Sequence, residues 1–154
     1  MNTGKESFLK NDLLLLLSKL TGHEKGSWGK MNAQQMVEHF STTLRYANGS
    51  IRLSLHTPED ILPKARAFML SEKPFRENTK NPMMGETPEA IKYNSLQESV
   101  AELQEELNAF FTAFENDPLL VTSNPIFGEL TYEENIHLLY KHAQHHLKQF
   151  GLTE

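Results

Sequence analysis

The chain has 154 residues, enough to bury a sizeable core in one domain, and we read 1–154 as a single domain. Hydrophobic residues make up 38% and charged residues 23%, a globular balance that excludes a disordered or fibrous chain. A formal net charge of -5 with no basic run argues against a nucleic-acid partner, and the absence of cysteine excludes disulfides, thiolate metal sites and a cysteine nucleophile.

The first predicted helix covers residues 5–20 and stops at Gly22. Its five consecutive leucines, Leu13 to Leu17, make it apolar nearly all round, so it needs neighbours on more than one side. The charged residues Asp12 and Lys19 bracket that run too tightly for a secretory signal, and no stretch approaches the roughly 20 apolar residues of a membrane span. A cytoplasmic protein with no membrane partner is the resulting expectation. The second helix starts at Asn32, a good N-cap, and runs to Ala47, where Asn48 and Gly49 end it.

A long connection follows, holding Pro58, Pro63, Pro74, Pro82 and Pro88. A short helix is expected between Thr57 and Leu70, bent or interrupted at Pro63, and 71–94 reads as a loop able to cover a site at one end of a bundle. The third long helix spans 95–114. Its apolar residues Leu96, Val100, Leu103, Leu107, Phe110 and Phe114 alternate spacings of four and three. The fourth opens on the capping-box pair Thr131 and Glu134 and ends before Gly151. No run of strands is evident. The expected fold is therefore all-α, a four-helix bundle with a long Pro-containing connection between helices two and three.

Four of the seven histidines fall within ten residues, at His137, His142, His145 and His146. Imidazole nitrogen is a common ligand for borderline divalent metals, and two ligands on one helix need a spacing of three or four. At about 100° per residue, the apolar stripe of the last helix centres near Ala143. His142 and His146 lie on one margin of it, roughly 40° apart, whereas His145 points about 160° away, towards solvent or a partner. His137 takes a third direction. On helix two, His39 sits about 110° from the stripe centre, another marginal position. The candidate metal ligands are thus His39, His142 and His146, and three histidines leave a coordination position open for water or substrate.

Other residues give weaker signals. Glu38 adjoins His39, but no His-Glu-x-x-His string exists, so a zinc-protease reading has no support. Glu38, Glu134 and His145 read as solvated surface groups, so no general base is identified. Trp28, Tyr46 and Tyr140 read as packing residues near the site faces. Gln149 falls beside His142 and His146 on the wheel, placed to orient a ligand. Arg45, Arg52 and Arg66 are available to an anionic substrate.

Three strings, WGKMNAQQMVEHF at 28–40, FGELT at 127–131 and HAQHHLKQFG at 142–151, resemble the DinB-like (YfiT-like) metalloenzyme superfamily, and within it a bacterial branch with no established reaction. The resemblance extends from helix two to the C-terminus. It implies a four-helix bundle and a divalent ion, nickel, zinc or iron, on His39, His142 and His146. It further implies a small-molecule substrate, with a low-molecular-weight thiol as one candidate, and a homodimer. Its characterised members include thiol-dependent transferases and isomerases, and an ion acting as a Lewis acid at this site is compatible with thiol transfer or hydrolysis, so a metal-dependent enzyme is the first expectation. Two alternatives remain open: a non-catalytic bundle that binds a metal or small molecule, and a structural dimerising bundle with incidental histidines.

Overall fold

The computed structural model describes residues 3–79, 81–85 and 87–153. The chain begins with a helix in three parts: α1 (Thr3–Ser7), a π-helical stretch (Phe8–Asp12) and α2 (Leu13–Leu17). Backbone angles stay helical through the junctions at Ser7, Asp12 and Leu13, so the π stretch is a wide turn within one rod. Leu9, Leu13 and Leu17 point into the core while Leu15 remains exposed, so one face is buried rather than the whole circumference.

Helix α3 (Ala33–Ala47) starts where the sequence predicts. The Asn32 side chain accepts from the Gln35 amide N–H, and the Gln35 side chain accepts from the Asn32 N–H, a reciprocal capping box. The preceding loop supplies the remaining acceptors: Glu24 and Gly22 carbonyls take the Ala33 and Gln34 N–H groups. Helix α4 (Leu62–Leu70) corrects the expectation of a bent helix from Thr57. Pro63 lies in its first turn, where an N–H would lack a helical partner in any case, so the proline starts the helix rather than kinking it.

Helix α5 (Leu96–Asn116) packs along α3. Its inward residues are Leu96, Ser99, Leu103, Leu107, Phe110 and Phe114. Val100 packs half-buried against the core as predicted, and Ser99 joins the inward face, its hydroxyl donating to Glu38 on α3 at 2.7 Å. Next comes an antiparallel pair, β1 (Thr122–Asn124) and β2 (Gly128–Leu130), in the register Thr122 to Leu130, Ser123 to Glu129 and Asn124 to Gly128. Asn124 Oδ1 closes the turn by accepting from the Ile126 and Phe127 N–H groups. The last helix, α6 (Tyr132–Gln149), begins with the predicted capping box of Thr131 and Glu134.

This hairpin overturns the all-α four-helix bundle: the fold is mixed, with helices plus a two-stranded antiparallel sheet between α5 and α6. Its attachment to α6 is specific. Buried Asn135 donates to Thr122 Oγ1 and to the Leu130 and Thr131 carbonyls. Arg66 on α4 donates to the Phe127 and Glu129 carbonyls and pairs with Glu134. A shared apolar core draws Leu13 and Leu17, Val37 and Phe40, Leu103 and Phe110, and Ile136 and Leu147 from the long helices. Among the described residues no helix is long and apolar enough to cross a membrane.

Candidate metal centre

The apolar stripes of α3 and α6 turn His39 towards His142 and His146. One nitrogen of each ring lies within 4.8 Å of the corresponding atoms of the other two. His146 is buried and the other two are half-buried. Ring centroids are 5.2 Å apart for His39 and His142, 5.4 Å for His39 and His146, and 4.4 Å for His142 and His146. The Nε2 atoms of His142 and His146 face each other at 2.7 Å. Phe40 covers one side, its ring 4.9 Å from that of His142.

Desolvation dominates the electrostatics of the trio. It pulls His39 down to about 4, with proximity to His145 adding to the effect. Burial holds His142 well below the ordinary imidazole value, reinforced by His146 and His39. His146 falls to about 3 through burial and repulsion from His39, against an opposing hydrogen bond to Gln149. All three rings are therefore neutral at pH 7, the form in which an imidazole nitrogen offers a lone pair. Three neutral imidazoles converging from two helices are a donor set that fits a borderline divalent ion.

A loop holds the trio from behind. Gln149, buried at the end of α6, contacts His146 Nδ1 through Oε1 at 2.7 Å and donates from Nε2 to the Trp28 carbonyl at 2.8 Å. Gly26 permits the approach, since a Cβ there would stand 2.7 Å from Gln149 Cγ and 2.8 Å from the Trp28 oxygen. Gly29 has φ +79° and would bring a Cβ to 3.0 Å from Gln149 Nε2. The Ser27 N–H also donates to the Gln149 carbonyl at 2.8 Å. Residues 26–29 thus form a cradle around one glutamine.

His145 departs from the expectation of an open face. It is half-buried between the Trp28 ring, 5.3 Å away, and the Phe75 ring, 6.2 Å away, and desolvation lowers its pKa against a hydrogen bond with the Phe75 main chain. His137 is buried near the start of α6, with Nδ1 2.9 Å from Lys5 Nζ and Nε2 3.0 Å from the Ser71 carbonyl. Because that carbonyl only accepts, Nε2 carries the proton and Nδ1 accepts from Lys5. Lys141 donates to the Phe68, Met69 and Ser71 carbonyls at the end of α4, which fixes that end against α6.

Glu38 is likewise not a solvated group. It accepts from the Lys92 and Tyr93 main-chain N–H groups, from Gln34 Nε2 and from Ser99 Oγ, so it staples the end of the 71–94 loop to α3 and α5. Gln35 Nε2 donates to the Glu89 carbonyl in the same loop. One end of the loop therefore lies on α3 near His39, and the other lays Phe75 over His145. The arginines serve the fold: Arg45 pairs with Glu102 and Glu106, and Arg66 with Glu134, while Arg52 reaches only the exposed Glu129 at 3.7 Å. Tyr140 packs edge-on against Phe8, and burial and nearby Glu89 raise the pKa of Tyr46.

Sequence reasoning overlooked the 26–29 cradle, although two glycines flanking Ser27 and Trp28 gave a local signal of close backbone approach. No protein-family model matches the chain, and neither a curated protein nor a solved structure does.

Proposed function

We propose that the chain is a divalent-metal-dependent enzyme that holds its ion with His39, His142 and His146 and acts on a small molecule by thiol transfer or hydrolysis. The observation that carries this reading is the convergence of three neutral imidazole nitrogens to within 4.8 Å of one another, contributed by two different helices. A stretch of hydrophobic core would not gather three desolvated histidines at that cost unless the cluster had a use. Nickel, zinc and iron all accept imidazole ligands. When bound, such an ion is a Lewis acid that lowers the pKa of a water or thiol at its open position.

The protein's own part is to hold and shield. Packing of α3 on α6 keeps the three rings in register, and Phe40 lies against His142 as an apolar wall. The resemblance to DinB-like metalloenzymes supports the same three ligands and gives the low-molecular-weight thiol as a substrate class. The test is a turnover screen on untagged protein with zinc, nickel or iron restored, offering low-molecular-weight thiols with electrophiles and, separately, hydrolysable small molecules. Metal-dependent turnover that disappears in His39→Ala is the expected result. Turnover that survives His39→Ala contradicts the proposal.

A further inference from the structure

The proton on His146 is placed from outside the trio. The Trp28 main-chain carbonyl can only accept a hydrogen bond, so the Gln149 atom 2.8 Å from it is the amide nitrogen. The amide oxygen is thereby turned to His146. That oxygen also can only accept, so the 2.7 Å contact requires a proton on His146 Nδ1. In the neutral ring Nε2 is then bare. The facing His142 Nε2, 2.7 Å away, must supply the proton of that contact. A single backbone carbonyl thus orders an amide and two imidazoles in sequence.

We propose that Gln149 is a positioning residue that holds His146 in its Nδ1–H form and so keeps Nε2 available to an ion, and that the 26–29 loop exists to lock Gln149 in that orientation. The availability of Nε2 to an ion rests on the metal reading above; the tautomer and the lock on Gln149 do not. The lock is steric as well as polar. Gln149 is 3% exposed, its main-chain carbonyl is bonded to the Ser27 N–H, and its side chain fills the space where side chains at Gly26 and Gly29 would begin. Reversing the amide would set its oxygen against the Trp28 oxygen and lose that bond, and its NH2 could meet His146 only if the ring moved its proton from Nδ1 to Nε2. Hydrogen-bond partners of this kind fix the tautomer and ring orientation of metal-binding histidines, and their loss typically weakens metal affinity about 10–100-fold.

The test reads the tautomer directly. Long-range proton–nitrogen correlation spectra of ¹⁵N-labelled metal-free protein at neutral pH should show His146 protonated at Nδ1 and His142 at Nε2. A wild-type His146 protonated at Nε2 overturns the inference without any variant. Gln149→Met keeps length and apolar bulk but removes both polar atoms. It should give His146 signals of mixed tautomers and bind zinc about 10–100-fold more weakly by calorimetry. Gly26→Ala should move both readouts the same way by displacing Gln149, and it carries the comparison if Gln149→Met does not fold. An unchanged tautomer, with zinc affinity within about twofold of wild type, overturns the role of Gln149. Wild-type protein that shows the Nδ1–H form and yet takes up no zinc overturns the metal reading instead.

Discussion

Protein carrying His142→Ala and His146→Ala, purified without a histidine tag, should retain no divalent metal where the unaltered chain retains close to one equivalent. Two of the three imidazoles that approach within 4.8 Å are gone, and a single remaining histidine has no chelate partner. The loss of affinity should be on the order of a thousandfold or more, because most of the binding free energy of such a site comes from its joined ligands. Metal analysis by mass spectrometry, with circular dichroism to establish that the variant is folded, gives the answer. Equal metal in both proteins would show that the cluster is not the site. The fold should tolerate the change moderately, since loss of His146 leaves the Gln149 side-chain oxygen without its donor at a cost of about 1–3 kcal/mol.

The same cluster should make the metal-free protein sensitive to mild acid. The folded-state values are depressed, to about 4 for His39 and about 3 for His146, and His142 is also well below 6.5. Between pH 6.5 and about 4 the unfolded chain therefore binds protons that the folded chain refuses. The stability of the folded state rises with pH across that window and is lost as pH falls through it. His39 alone should contribute on the order of 2–3 kcal/mol, allowing for its partial contact with water. Denaturant midpoints measured from pH 7 to pH 4.5 should fall steeply. They should fall less in His142→Ala, His146→Ala, so one variant loses metal and gains acid tolerance together. A flat profile in the unaltered chain would mean that the rings are not desolvated as described. The window above pH 4.5 is the informative one, because hydrogen-bonded carboxylates such as Glu6 and Glu72 add their own acid loss below it.

How much of this was legible in the sequence depends on the range of the interaction. Helices α3 and α6 were readable because their caps are local: Asn32 with Gln35, and Thr131 with Glu134, each lie within four residues. The histidine trio was readable because two of its members share one helix face and the third lies at the margin of another. The hairpin was not. Its strands have three residues each, too short for an alternating pattern, and the side chains that anchor it to the helices, Asn135 and Arg66, lie outside it. Pro63 was misread as a break because its consequence depends on where the helix begins. Glu38 and His145 looked solvated on a wheel because a wheel does not include the 71–94 loop, which meets Glu38 with Lys92 and Tyr93 and covers His145 with Phe75. The cradle around Gln149 joins residues 26–29 to position 149, a separation that no local pattern spans.

These long-range contacts also separate structural charges from chemical ones. Arg45, Arg66 and Lys141 each end on a carboxylate or a helix carbonyl, which leaves the three histidines as the cluster whose neutral nitrogens turn towards one another. A divalent ion should sit among them. Anomalous diffraction from crystals soaked in zinc tests this most directly. We predict one dominant peak, roughly 2.0–2.1 Å from a nitrogen of each of His39, His142 and His146. A dominant peak on other residues, or none at the trio under conditions where zinc is in excess, would contradict it.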